Sequence, residues 1–198
     1  MTSIYKKILA AGLIVVTAFA FNWNPQTLSL SVPEADAAAV DYYLKIEGIE
    51  GESTDSRHKG EIEIESFSWG ATQPGISRPG SAGGGGGAGK VNFQDLHFTA
   101  KASKASPKLM LAAATGEHIK KAVLFVRKSG QQQDFYKIEL QEVLVSSYQT
   151  GGSSGQVPTE SFSLNFTKIE FEYRAQKADG SLDAPVKAGY DVKANKKI

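Results

Sequence analysis

A glycine-rich segment followed by a lysine is the part of the sequence that most resembles a phosphate-binding site. Four residues separate Gly84 from Gly89, and Lys90 follows directly, as at the start of a P-loop. A P-loop needs Ser or Thr directly after the lysine to reach Mg²⁺, and it opens a helix. Here Val91 follows, and residues 91–99 have the alternation of a strand. Backbone N–H groups could still surround an anion, but the spacing favours a surface loop.

The histidines are the next side chains that could bind a metal or exchange protons. There are three, His58, His97 and His118. Asp95 and His97 would share a strand face, but no third ligand follows at a metal-binding spacing. Cysteine is absent, so no thiolate nucleophile or Cys-ligated zinc site is possible. We therefore expect no enzyme activity, no cofactor and no metal.

Three glutamates at strand spacing, Glu61, Glu63 and Glu65, form the main acidic cluster. Such a cluster could bind a cation or act as a pair of catalytic carboxylates. Alternate residues of a strand share one face, and a face of this kind is more often solvated or part of an interface. We interpret the cluster in that way.

The overall charge argues against two classes of partner. The 198 residues include 22 basic and 21 acidic side chains, a net charge of +1. Nucleic-acid binding and adsorption to an anionic membrane both need an excess of basic residues. The length fits one domain, and a hydrophobic fraction of 41% is enough for a core.

Residues 1–39 differ from the rest of the chain. Two lysines precede an apolar run over residues 8–21, which is shorter than the ~20 residues that span a bilayer. The Ala-x-Ala patterns at 18–20 and 35–37 offer cleavage sites, so the segment predicts a secretory signal peptide. A membrane anchor, or an extension created by a misassigned start codon, would also fit this segment.

From Val40 onwards the pattern becomes that of β-strands. Residues 40–46 alternate apolar and polar, and so do residues 61–65. Phe67 and Trp69 then fall on the face that the glutamates occupied, which predicts a bulge near Ser66.

Similar changes of phase occur in three later segments, which predicts long, bent strands. They lie within residues 91–98, 136–145 and 162–173. Curved strands of this kind favour a sheet that closes into a barrel. Residues 122–126 are apolar on both faces and predict a central strand. The predicted fold is mainly β, a closed barrel of two packed antiparallel sheets with one short flanking α-helix.

The helix is predicted between Ser106 and Gly116. Ser106 is a good N-cap, Pro107 suits the first helical position, and glycine suits the C-terminal cap. Residues 109–114 between them favour a helix. A helix this short must pack against the barrel to persist.

Seven stretches of the sequence resemble the Hcp family (haemolysin-coregulated protein) of type VI secretion systems. They occur in the family's order and cover almost all of residues 40–195, which marks 40–198 as an Hcp-like domain. The stretches are 41–51 (DYYLKIEGIEG), 51–60 (GESTDSRHKG), 64–70 (IESFSWG), 89–99 (GKVNFQDLHFT), 104–116 (KASPKLMLAAATG), 143–155 (VLVSSYQTGGSSG) and 163–180 (SLNFTKIEFEYRAQKADG).

The resemblance implies a structural protein. Hcp-like proteins are β-barrels that form hexameric rings, and the rings stack into a hollow tube. A contractile sheath drives the tube out of the cell beneath a spike protein, and small effector proteins travel in the lumen. The expected partners are therefore further copies of the chain, the spike, the sheath and effectors, without nucleic acid and without membrane integration after leader removal. An exported carrier or chaperone ring that binds effectors but is not built into such a tube is the alternative.

The resemblance also implies an interface loop between rings. By analogy with the family, the loop over residues 50–59 would reach the neighbouring ring. The residues expected to do so are Glu50, Glu52, Ser53, Asp55, Arg57, His58 and Lys59.

The leader departs from the family pattern, since Hcp proteins usually begin near the equivalent of residues 39–41. A misassigned start would leave assembly in the cytoplasm, followed by secretion from the cell. A genuine signal would place the chain in the periplasm or outside the cell by a general secretory route. Both possibilities remain open from the sequence.

Overall fold

The structure is a computed structural model that describes residues 39–73, 91–129 and 132–198. These contain eleven strands and one helix. The strands are β1 (Val40–Ile46), β2 (Ile62–Ser68), β3 (Ala71–Thr72), β4 (Asn92–Phe93), β5 (Leu96–Lys101), β6 (His118–Lys128), β7 (Asp134–Gly151), β8 (Thr159–Asn165), β9 (Lys168–Tyr173), β10 (Val186–Asp191) and β11 (Lys196–Lys197); the helix α1 is Ser106–Thr115.

The strands close into a barrel. Nine of them form one sheet in the order β11-β10-β9-β7-β6-β1-β2-β5-β8, and β8 also pairs with β7. That last pairing closes a barrel of six strands, with β9, β10 and β11 extending beyond it. Strands β3 and β4 form a second, two-stranded sheet. Every pairing is antiparallel, and the predicted barrel is confirmed.

The predicted bulge near Ser66 is present. The register between β2 and β5 shifts between Ile64 and Ser66. A second irregularity lies in β7 at Glu142, a non-glycine residue with a φ of 52°. Residues up to Gln141 pair with β9 and residues from Leu144 pair with β8. The bend thus lets one 18-residue strand serve both the barrel and its extension.

The prediction of single bent strands over residues 91–98 and 162–173 is wrong. Each segment is divided into two strands, β4 with β5 and β8 with β9. The change of phase at Phe166 and Thr167 marks a break, where the Thr167 N–H donates to the carbonyl of Gln141 on β7. A phase change alone cannot distinguish a bulge from the end of a strand, because both reverse the side-chain faces.

The barrel interior is filled by the apolar faces of its strands. Strand β6 lies between β1 and β7, as its two apolar faces predicted. Leu96, Ala100, Val143 and Leu164 have no exposed surface. Helix α1 adds Leu109 and Ala112 to the same core.

Helix α1 ends as predicted but begins differently. Gly116 forms the C-cap in the left-handed region, with φ of 66°. At the other end the N-cap is Ala105, and Ser106 lies inside the helix. The hydroxyl of Ser106 accepts a hydrogen bond from the N–H of Ser103, at 2.9 Å, instead of capping the helix.

Two predictions fall outside the described residues: the leader, apart from Ala39, and the P-loop-like segment from Gly84 to Lys90. Within the part of the chain that the structure describes, no helix is long and apolar enough to cross a membrane.

Candidate interface loop

The loop between β1 and β2, residues 47–61, folds back on itself, and we call it the strap. The Gly51 N–H donates to the Gly60 carbonyl at 2.8 Å, and the Gly60 N–H donates to the Ser53 carbonyl at 2.8 Å. The Ser53 N–H donates to the carbonyl of Glu61 at 3.1 Å. These bonds pair the two ends of the loop and leave residues 54–59 as its tip.

Gly51 lies against the other end of the loop with no room for a side chain. A Cβ at this position would overlap the Glu61 carbonyl oxygen and lie 2.5 Å from the Cα of Ile62. Both neighbours are backbone atoms, so a rotamer change cannot relieve the overlap. Gly51 therefore sets how closely the two ends of the loop approach.

We expect Gly51→Ala to lower the free energy of unfolding by about 1–3 kcal/mol, the usual cost of overpacking a buried site. Gly151→Ala is a matched control, because a Cβ there meets nothing within 4 Å. Urea denaturation of both variants at one protein concentration measures the difference. Equal stabilities would show that the loop ends can separate without cost.

His58 is the most enclosed side chain of the tip. It is 3% exposed. Its Nδ1 lies 2.9 Å from Glu61 Oε2, and its Nε2 lies 2.9 Å from Asp134 Oδ1 at the start of β7. The ring stacks on Tyr43 at a centroid distance of 4.5 Å and packs against Phe125 at 4.9 Å. His58 thus fixes the loop to the outer surface of the barrel.

A second set of contacts joins the tip to β6 through Asp55. One carboxylate oxygen of Asp55 accepts hydrogen bonds from the N–H groups of Arg57 (2.8 Å) and His58 (3.0 Å). The other accepts from the guanidinium of Arg127. Arg127 also donates to the Tyr43 hydroxyl at 3.2 Å, and its guanidinium carbon lies 5.0 Å from the centre of that ring.

The electrostatics follow from these contacts. The hydrogen bond from Arg127 holds the pKa of the Asp55 carboxyl well below its ordinary value, and the same bond raises the pKa of Arg127. Burial raises the pKa of Tyr43 and of the Glu61 carboxyl. Asp55 is therefore a fixed negative charge, whereas Glu61 takes up a proton more readily than an exposed glutamate does.

The structure divides the seven predicted interface residues into two groups. Asp55 and His58 bond to strands of the barrel, and Ser53 is buried and bonds within the loop, so these three hold the loop in place. The exposed members are Glu50, Glu52, Arg57 and Lys59.

Two of the exposed residues are linked to the segment that precedes α1. Lys104 contacts Glu50 through its ammonium group at 3.4 Å, and its backbone N–H donates to Glu52 at 3.1 Å. Arg57 donates to the carbonyl of Gln132. Glu50, Glu52 and Arg57 are thus each held by a contact with a neighbouring segment.

Sequence reasoning missed the residues of the barrel that receive the loop: Tyr43, Phe125, Arg127 and Asp134. Tyr43 and Phe125 are paired across β1 and β6. Both lie on the outward face of their strands, where most other side chains are charged. Two aromatic side chains on such a face indicate that another segment packs over it. Which loop covers it could not be read from that signal.

The other sequence candidates are distributed over the surface. Glu61 turns to His58, while Glu65 pairs with Lys101 at 3.0 Å, so the glutamates do not share one site. Asp95 accepts hydrogen bonds from Ser146 and Asn165 rather than contacting His97. Among the described residues, no group of three or more carboxylates and histidines could hold a metal ion.

His97 contacts Ser163, whose hydroxyl lies 2.6 Å from its Nδ1. A serine nucleophile must be accessible and needs a base that a third group orients. Ser163 is only 3% exposed, and its hydroxyl also accepts a hydrogen bond from Ser147 at 2.8 Å. This geometry favours a bond that ties neighbouring strands together.

A cavity of about 840 Å³ lies beside the loop. Residues from β1, β2, the loop and the segment after β5 line it. Its charged groups include Asp41, Glu52, Glu63, Glu65 and Lys101. It is an open, mainly acidic groove at the foot of the strap.

Comparison with known proteins places this barrel and loop in one family. The family model described as "Type VI secretion system effector, Hcp" matches residues 43–173. Protein hcp1 of Pseudomonas aeruginosa is 47% identical over 161 residues, which are 79% of this chain and 98% of that protein.

Solved structures agree with this assignment. The crystal structure of Hcp1 from Salmonella typhimurium is 34% identical, with a TM-score of 0.67, and the match covers 81% of this chain and 99% of that one. A structure of a type six secretion system protein is 31% identical, with a TM-score of 0.74 and coverage of 81% and 100%. The chain therefore belongs to the Hcp family of type VI secretion proteins.

Proposed function

We propose that this chain is the subunit of the inner tube of a type VI secretion system. It assembles as hexameric rings that stack, are secreted, and carry small effector proteins in the lumen. Its partners are further copies of itself, the spike protein, the sheath and the effectors. The observation that carries the proposal is the 47% identity to Hcp1, because it extends over 98% of that protein.

The strap supports the proposal by its geometry. Ring stacking needs two different surfaces of one subunit to meet repeatedly. A loop that is ordered before it binds loses less entropy on association than a flexible one. Ser53, Asp55 and His58 provide that order from within, and the exposed charges of Glu50, Glu52, Arg57 and Lys59 contact the neighbouring ring.

The first test is the mass of the mature chain in solution. We expect light scattering to give six times the mass that mass spectrometry gives for the single chain. A stable monomer at high protein concentration would contradict the proposal.

The contribution of the strap is tested by the double variant R57E/K59E. We expect separate rings instead of stacks in electron micrographs, because charge reversal at an interface introduces repulsion. The double variant K193E/K196E, at two exposed lysines near the end of the chain, is the control, because it makes the same change in net charge. Stacks that persist in the double variant would remove the strap from the interface.

The leader is a separate part of the proposal. We propose that residues 1–39 are not part of the tube subunit, which comprises residues 40–198. N-terminal sequencing of the chain from its own cells distinguishes the two routes. A start after residue 20 or near 37–39 indicates export through the periplasm. A start at Met1 or at an internal codon near Val40 indicates assembly in the cytoplasm.

A further inference from the structure

The contacts of His58 have a property that tube formation does not require. Its two ring nitrogens both face carboxylates, Glu61 on one side and Asp134 on the other, at 2.9 Å each. The ring is 3% exposed, so water has little access to replace either contact. Both carboxylates are themselves partly buried, at 11% and 22% exposure.

Counting protons shows why this arrangement depends on pH. A neutral imidazole carries one N–H, so it can donate to one carboxylate only. The other nitrogen then directs a lone pair at a carboxylate oxygen, which repels it. Two hydrogen bonds need a second proton, which the ring holds or shares with one of the two carboxylates. Burial raises the pKa of Glu61, which helps the cluster to keep that proton.

The surrounding charges do not remove this requirement. The guanidinium of Arg127 on β6 is bonded to Asp55 and to the Tyr43 hydroxyl on β1, and that of Arg57 is bonded to the Gln132 carbonyl. Asp55 donates no proton to the cluster, because its own pKa is held low by Arg127. Lys45 on β1 acts on Glu61 only through space. The aromatic rings of Tyr43 and Phe125 enclose His58 but supply no hydrogen bond to its nitrogens.

The position of His58 couples this proton to the loop. Its bond to Asp134 joins the tip of the strap to the first residue of β7, 76 residues further along the chain. Gly48 and Gly60, with φ of 85° and 75°, lie in the turns at the two ends of the strap. We propose that His58 is a pH-operated latch, which holds the tip of the strap to Asp134 when the cluster holds two protons and loosens that contact when one is lost.

The latch does not depend on ring stacking and would operate in a single ring. Its sign is fixed by the proton count. The strap is held at low pH and loosens as pH rises and the second proton leaves. If the strap contacts the next ring, as we propose above, the latch would also make stacking sensitive to pH.

Hydrogen–deuterium exchange with mass spectrometry tests the latch on the full chain. Exchange at the imidazole C2 of His58 reports its protonation, and backbone exchange over residues 47–61 reports the loop. We expect loop protection, corrected for the intrinsic pH dependence of exchange, to fall about tenfold or more as His58 loses its proton. That is the effect of losing one hydrogen bond to a charged group. The protein concentration is kept below that at which light scattering detects stacks, so a failure of stacking does not affect the result.

Two variants control the measurement. His58→Gln keeps one donor and one acceptor but does not titrate, so its loop protection should not change over the same pH range. His118→Gln removes an exposed histidine and should behave as the wild type. The proposal is overturned if wild-type protection stays constant while His58 titrates, or if His58→Gln keeps the pH dependence. If His58→Gln does not fold, the two wild-type curves are compared instead. The proposal then requires that exchange at the His58 C2 and protection of the loop change with the same pH midpoint.

Discussion

Replacing Asp55 with alanine is expected to lower the free energy of unfolding by about 3–5 kcal/mol, the usual cost of breaking a buried ion pair. The change leaves Arg127 without its carboxylate partner, and the side chain of Arg127 is only 6% exposed. It also removes the acceptor for the N–H groups of Arg57 and His58. Urea denaturation at a fixed protein concentration measures the loss, since association would otherwise contribute to it.

The control for Asp55→Ala is an exposed ion pair. Asp183 lies 3.9 Å from Lys177 at the surface, and Asp183→Ala should cost less than about 1 kcal/mol. The double variant D55A/R127M removes both charges and should recover part of the loss, because no unpaired charge then remains buried. A double variant less stable than D55A would show that Arg127 stabilises the fold without Asp55.

The same pair predicts a dependence on pH. The pKa of Asp55 is lower in the folded chain than its ordinary value, so its contribution is fully present above the unfolded pKa of about 3.9. The contribution is lost as pH falls below that value towards the folded pKa. The difference in stability between wild type and D55A should therefore be constant near neutral pH and narrow below about pH 4.

The other large effect is expected at the closure of the barrel. Phe162 on β8 pairs with Phe98 on β5 and with Tyr148 on β7, so it lies at the β7–β8 pairing that closes the barrel. It is 1% exposed and stacks on Phe98 at 5.3 Å. Phe162→Ala should lower the free energy of unfolding by about 3–5 kcal/mol, through lost burial and the cavity that remains.

Phe135→Ala is the matched control for Phe162→Ala. Phe135 is only half-buried and contacts Tyr173 in the extension beyond the barrel, at 6.4 Å. The same loss of atoms should therefore cost less at Phe135, since less of its apolar surface is removed from water when the chain folds. Urea denaturation of the two variants compares their losses in the free energy of unfolding. Equal losses would show that the barrel interior is no more sensitive than the extension.

The local features of this fold could be predicted from the sequence. Alternation over residues 40–46 and 61–65 identified two strands, and its reversal at Phe67 located the bulge near Ser66. The apolar run at 122–126 indicated a central strand, and Gly116 marked the end of α1. Each of these features depends on the conformation of a few neighbouring residues, which side-chain period and backbone freedom determine directly.

The family could also be predicted, because it depends on the order of residues along the chain. Within the described residues, the stretches that resemble the Hcp family lie in strands, turns and the helix. The match of the family model to residues 43–173 confirms that assignment.

Only the tertiary structure decided how distant segments meet. Alternation showed that residues 162–173 change faces, but the partners of β7 were needed to show that the chain breaks there into β8 and β9. His58 was predicted as an interface residue, yet its nitrogens contact Glu61 and, 76 residues away, Asp134. Side-chain period identifies which face a residue occupies, whereas contacts between distant segments depend on strand register and on how a loop folds back. The sequence by itself therefore determined several strands and their faces, the end of the helix and the family. The three-dimensional fold decided where two of the predicted strands divide, how the barrel closes and how the loop is anchored.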